Sequence, residues 1–137
     1  MPLFLWKKSY EIGVAELDMQ HRHLVGLINE LSDAMMLKQG FRTVPHVLEE
    51  LVDYIQLHFT TEEAAMRDAN YHGLPGHSQE HLDLTGQVLE FKTEYASAHD
   101  LDPGELLTFL CDWLKIHILV SDKAFGRYLL SVDTDEA

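Results

Sequence analysis

Seven polar side chains lying on helical stripes restrict what this chain can fold into. His58 and Glu62 stand four apart, His77 and His81 stand four apart, His117 and Asp122 stand five apart, and His21 lies upstream. On a helix, residues four apart share one face about a turn from each other. These groups fall among apolar residues that recur at threes and fours, so they face the core. A helix does not turn a glutamate inward unless something there compensates its charge. Five imidazoles with two carboxylates are too many donors for one four-coordinate zinc. They suit two six-coordinate metals that share bridging ligands. The chain must therefore bring several helices to one point.

The stripes say how many helices there are. Asp18 is a plausible N-cap for a first helix, whose buried face is His21, Leu24, Val25, Ile28, Leu31 and Met35. Lys38, Gln39 and Gly40 read as its cationic end and glycine stop. Thr43 and Pro45 open a second helix with the stripe Val44, Val47, Leu48, Leu51, Ile55, His58, Phe59, Glu62 and Met66. Residues 69–76 are a turn by composition, and a third helix starts near Pro75 or His77, with His77, His81, Leu84, Val88, Phe91 and Tyr95 on one face. After a loop at 96–101, the run Asp102-Pro103-Gly104-Glu105 starts a fourth helix, burying Leu106, Leu110, Trp113, Leu114, His117 and Ile118. Asp122 then falls about 140° from His117 on an ideal helix. Either the helix loosens there or the two groups reach different metals. Phe125, Tyr128 and Leu129 read as a further short helical piece.

Four amphipathic helices of roughly 18–25 residues with short connections predict an all-α, antiparallel up-down-up-down four-helix bundle. Residues 1–17 lack helical periodicity but hold Trp6, Tyr10, Ile12, Val14 and Leu17. They are expected to pack as an irregular arm along the outside. The 137 residues form one domain, with 131–137 a mobile acidic tail. In this topology the seven polar groups share a level: early in the first and third helices, late in the second and fourth. Independent accidents would not agree on level.

Composition narrows the function. The net charge of −13 argues against nucleic acid and anionic lipid surfaces as partners. No run reaches membrane-spanning length, since Leu106 to Val120 is interrupted by Asp112, Lys115 and His117. Pro2 to Trp6 is too short for a signal core, and Lys7 and Lys8 follow it where they should precede it. The single Cys111 excludes an intrachain disulfide and favours a reducing compartment. The expectation is a soluble, cytoplasmic, monomeric protein. His23, about 200° from His21, should face solvent, as should His46, His72 and His99. Cys111 is read as a buried, inert thiol, and Glu63 points about 100° away from Glu62 and receives no metal role.

A nitrogen-rich donor set excludes magnesium and calcium and fits paired iron or manganese. Di-iron bundle enzymes use Glu-x-x-His motifs and about four carboxylates, and no Glu-x-x-His occurs here. Fewer anionic donors stabilise high-valent iron less well, which favours reversible binding over oxidation of a substrate.

The chain resembles the bacterial hemerythrins, non-haem di-iron oxygen carriers. The likeness rests on Trp6 with Tyr10-Glu11-Ile12-Gly13-Val14, Asp18-Met19-Gln20-His21, His58-Phe59 with Glu62-Glu63 and Met66, His77 with His81, and His117 with Asp122. The resemblance implies two non-haem irons cycling between Fe2+ and Fe3+. His77, His81 and His117 would fill the shell of one. His21 and His58 would hold the other and leave it an open position for end-on oxygen. Glu62, Asp122 and an oxo or hydroxo oxygen would bridge them. It also implies that Leu24, Phe59, Trp113, Leu114 and Ile118 wall the oxygen site and keep out water and protons. The expected partners are molecular oxygen and an oxygen-consuming enzyme as its recipient. Carriage, storage or delivery without catalysis is the first reading. Oxygen or redox sensing, or a di-iron oxidase or peroxidase using the same centre, is the alternative. Iron storage would want many surface carboxylates near an assembly cavity.

Overall fold

The computed structural model describes residues 4–36, 40–97 and 104–136, with the side chains of 35, 36, 40–43, 96, 97 and 132–136 excepted. After a short 3-10 turn at Lys8–Tyr10 come α1 (Ala15–Met36), α2 (Gly40–Asp68), α3 (Leu74–Ser97), α4 (Gly104–Ile116), a π-helical stretch (His117–Asp122) and α5 (Lys123–Glu136). The last three run on without a break, so the bundle has four rods. α1 packs on α2 and α4, and α3 packs on α2 and α4. That is the square of a four-helix bundle, and short connections make sequential neighbours antiparallel.

The helix boundaries differ from expectation in ways that can be explained. α1 begins at Ala15, one turn early, so Asp18 is not the N-cap. Its carboxylate reaches back into the arm and accepts the backbone N–H of Ile12 (2.8 Å) and of Gly13 (3.2 Å). An acidic side chain in a helix's first turn is favoured by the backbone dipole. Gly40 does not stop α1; it is the first residue of α2. Pro45 therefore sits inside α2, near enough to its start that only one intrahelical hydrogen bond is lost. The reading of Lys38 and Gln39 as a helix end, and of Asp102 and Pro103 as a cap, lies outside the described residues, as does His99. α2 ends on Asn70, which has φ 56°; Asn70 N–H bonds to Arg67 C=O at 3.1 Å and Tyr71 N–H to Met66 C=O at 2.9 Å. That pair of bonds around a left-handed residue is a Schellman stop, and asparagine tolerates the conformation. The turn is therefore shorter than 69–76, and α3 starts at Leu74. The backbone of 131–136, expected as a tail, continues α5.

The arm lies along the bundle, as its apolar content predicts. Phe4, Tyr10 and Ile12 are buried. The side chain of Asn29 on α1 holds the backbone of Phe4 by two hydrogen bonds, at 2.9 and 3.0 Å. Gly13, at φ 95°, makes the bend that only glycine makes cheaply. A β-carbon on Gly126 of α5 would collide with the Ile12 carbonyl oxygen, so the arm touches bare helix backbone there.

The interior has two parts. Leu31, Val44, Leu48, Leu51, Val88 and Leu110 fill one end with hydrocarbon. At the other end His21, His58, Glu62, His77, His81, His117 and Asp122 are all buried.

Candidate metal centre

Each rod delivers its part of the cluster at the same height. His21 lies in the second turn of α1, His58 and Glu62 in the last turns of α2, and His77 and His81 in the first turns of α3. His117 and Asp122 bound the π-helical stretch. There the five-residue spacing is resolved. A π turn bonds i to i+5, so the i+5 residue lies where i+4 lies in an α-helix. The Lys123 N–H bonds to the Ile118 carbonyl in that pattern. The helix loosens, and Asp122 turns to the same centre as His117.

The two carboxylates organise the five imidazoles into unequal groups. Glu62 Oε1 touches His77 Nε2 and lies 3.3 Å from His81 Nε2 and 3.7 Å from His117 Nε2. Asp122 Oδ1 lies 2.9 Å from His77 Nε2 and 3.1 Å from His117 Nε2. The other oxygen of each acid faces the opposite way. Glu62 Oε2 lies 3.1 Å from His58 Nε2 and 3.5 Å from His21 Nε2, and Asp122 Oδ2 lies 3.0 Å from His21 Nε2. One nest thus has three imidazoles and two carboxylate oxygens; the other has two imidazoles and two oxygens. Donors of Glu62, His77, His81 and His117 all lie within 4.8 Å of one another, and so do those of His21, His58 and Glu62. Asp122 belongs to neither compact set and joins both through the contacts just given.

These atoms crowd together without satisfying each other. His21 Nε2, His58 Nε2, Glu62 Oε2 and both Asp122 oxygens are buried and make no aligned hydrogen bond. Buried polar groups left unpaired are costly. The ε nitrogens of His81 and His117 come within 3.2 Å, both directed inward. Donors converging on shared points, not on each other, are what cations between them would satisfy. The mixture of imidazole and carboxylate suits iron.

Electrostatics agree. Burial disfavours charge on His21, His77 and His117, but the adjacent carboxylates outweigh it and hold each imidazole up at about 9. On His58 burial wins and the value falls. Burial works against the charge of Glu62 and, with the Glu62 charge, against that of Asp122. The surrounding imidazoles still keep both acids ionised, Glu62 well below its usual range. Without metal, protons do the neutralising, and metal ligation must displace them.

An apolar layer adjoins the cage. Phe59 stacks flat on His81, with centroids 3.6 Å apart, and Trp113 stacks on His117 at 4.4 Å. Leu24, Phe59, Trp113 and Leu114, with Ile28, Leu51, Ile55, Leu84 and Leu110, line a small cavity with about 20 Å³ of room for the centre of a water-sized sphere. Ile118, expected in the same wall, does not line it; it is wholly buried beside His117. His23, His46 and His72 are exposed, as expected, and Cys111 is buried.

Sequence reasoning missed the residues behind the imidazoles. Gln20 Oε1 accepts from His58 Nδ1 at 2.8 Å. Glu63 Oε2 accepts from His81 Nδ1 at 2.9 Å, and Ser78 donates to Glu63 Oε1 at 2.5 Å. Burial resists the Glu63 charge, but these two hydrogen bonds pull its pKa below the usual value. Glu80 Oε2 is 3.7 Å from His117 Nδ1, and Ser121 donates to Glu80 Oε1 at 3.0 Å. A usable signal was present. A residue one step from an inward group faces the neighbouring helix, where the outer nitrogen of that helix's histidine lies.

Residues 12–129 match the hemerythrin HHE cation binding domain. The chain is 33% identical over 126 residues to a bacteriohemerythrin of Stenotrophomonas maltophilia, covering 92% of this chain and 81% of the relative. It is 29% identical over 128 residues to a bacteriohemerythrin of Clostridium acetobutylicum, covering 90% and 98%. A crystal structure of wild-type hemerythrin superposes with a TM-score of 0.85 at 26% identity, covering 93% of this chain and 98% of that one.

Proposed function

Given that the chain belongs to the hemerythrin family, whose members bind non-haem iron and oxygen, we propose that it binds molecular oxygen reversibly at two irons. The observation that carries this reading is the split of the carboxylates. Glu62 turns one oxygen to His77, His81 and His117 and the other to His21 and His58, while Asp122 turns one to His77 and His117 and the other to His21. His77, His81 and His117 would hold one iron, His21 and His58 the other, and both acids would bridge. The two-imidazole nest has one donor fewer, which is where oxygen would enter.

The chemistry such a centre supplies when loaded is two-electron reduction of oxygen, with the electrons returned on release. The chain's own part is to keep that exchange reversible. Leu24, Phe59, Trp113 and Leu114 present hydrocarbon and ring faces to a cavity with room for one small molecule. Water and protons are excluded because the cavity offers them no partners. Phe59 and Trp113 also fix the planes of His81 and His117 by stacking. Among the described residues, no acid or hydroxyl lines the cavity to supply a proton. No helix among the described residues is long and apolar enough to cross a membrane. We place the protein in the cytoplasm, as a monomer supplying an oxygen-consuming enzyme.

The test is anaerobic loading with ferrous iron, a metal count, and optical spectra through cycles of air and deoxygenation. Two irons per chain are expected, with a visible charge-transfer band that comes with air and leaves with nitrogen. One iron per chain, or no band in air, overturns the reading. Sustained oxidation of an added reductant over many turnovers would instead make it an oxidase.

A further inference from the structure

The two nests differ in what stands behind them. Each has one imidazole whose outer nitrogen is hydrogen-bonded to a side chain, and in the three-imidazole nest Glu80 adds a carboxylate 3.7 Å from His117 Nδ1. In the three-imidazole nest His81 Nδ1 donates to a carboxylate, Glu63, at 2.9 Å. In the two-imidazole nest His58 Nδ1 donates to a neutral amide, Gln20, at 2.8 Å. Both contacts fix the tautomer, with the outer nitrogen protonated and Nε2 free to ligate. They differ in charge.

Glu63 is also anchored. It sits on α2, one residue past Glu62, and crosses to α3, where Ser78, next to His77, donates to its other oxygen. The carboxylate is thus gripped at both oxygens by the helix that supplies two of the three imidazoles. Phe59 lies flat on the His81 ring, so the ring has little freedom left.

A carboxylate behind a ligating imidazole raises its basicity, and an amide does so much less. We propose that Glu63, held by Ser78, is a positioning residue that orients His81 and makes the three-imidazole half the more electron-rich of the two. This rests on the two-iron reading above. The consequence is a built-in inequality: the half with more donors also has the stronger donor, which favours its ferric state, while the Gln20 side stays comparatively electron-poor.

Two substitutions separate orientation from charge. Glu63→Gln keeps an acceptor oxygen at the same reach and loses the charge. Glu63→Ala loses both. Glu63 lies partly exposed at the α2–α3 groove, so neither change opens the core. Each variant is titrated anaerobically with ferrous ion, and the midpoint potential of the loaded form is measured beside the parent. Glu63→Gln should still take up two irons, with a midpoint higher than the parent's. Glu63→Ala should bind one of the two irons about 10–100-fold more weakly. Gln20→Glu should move the midpoint downward. A Glu63→Gln midpoint equal to the parent's overturns the electronic half of the proposal, and parental affinity in Glu63→Ala overturns the positioning half. Failure of the parent to take up two irons would instead defeat the underlying reading.

Discussion

The two ends of the bundle are stabilised by opposite means. At one end Leu31, Val44, Leu48, Leu51 and Val88 are buried in one hydrocarbon cluster, and their side chains have no polar atoms to satisfy. At the other, seven ionisable side chains are just as buried, yet several of their donor atoms make no aligned hydrogen bond. Hydrocarbon gains stability merely by leaving water. Buried carboxylates and imidazoles gain it only when paired. The first end completes itself; the second is finished by what it binds.

Removing iron should therefore have the largest effect, and a local one. At free iron a thousandfold above its dissociation constant, binding to the folded state alone adds about 4 kcal/mol. For a chain of this size, chelation should lower Tm by on the order of 10 °C. Amides near His21, His58 and His117 should exchange faster, while those near Leu31 and Leu48 keep their protection. Equal Tm with and without chelator would break the contrast.

Leu114→Ala probes the seam between the two parts. Leu114 lines the small cavity one turn below His117. Deleting a buried leucine's methyl groups costs about 2–5 kcal/mol and enlarges the void. The oxygenated form should also decay faster, because a larger void admits water. Ile118→Ala, away from the cavity wall, should cost stability but shorten that lifetime less. If both variants keep the parental lifetime, the apolar layer does not protect the site.

Much of this was legible because helical spacing places inward residues directly. His58 with Glu62 and His77 with His81 sit four apart on apolar stripes, and both pairs face the cage. The family resemblance fits the match over residues 12–129. Three things were not legible. The π-helical stretch depends on a looser turn that composition does not announce, so His117 and Asp122 at five left two possibilities open. Asp18 has a cap's chemistry, but it caps backward, because Val14 rather than Asp18 precedes the helix; the Asp18 N–H bonds to the Val14 carbonyl at 2.9 Å. Glu63 was set aside for pointing away from Glu62, whereas the helix it points toward is α3, where His81 waits.

The arm gives a smaller test, with a sign opposite to intuition. Gly126 lies within α5, where alanine ordinarily stabilises by about 1 kcal/mol. Here a β-carbon would strike the Ile12 carbonyl. Overpacking of this kind costs about 1–3 kcal/mol. Gly126→Ala should therefore lower the urea midpoint and leave the iron count untouched. A raised midpoint would mean that the arm is not held against α5.

The smallest expected effect lies at Asp18, where the arm meets α1. Its two carboxylate oxygens accept separate backbone N–H groups, from Ile12 and Gly13. Asp18→Asn keeps one acceptor and sets an amide NH2 against the other N–H. It also removes a negative charge from the helix's first turn, where the backbone dipole favours one. The loss should be about 1 kcal/mol, read as a lower urea midpoint in both the iron-loaded and iron-free protein. Equality of the two shifts is the point of the measurement. Asp18 is only three residues from His21, so a shift confined to the loaded form would show that the arm acts through the metal end. Equal shifts would show that the arm belongs with the hydrocarbon half.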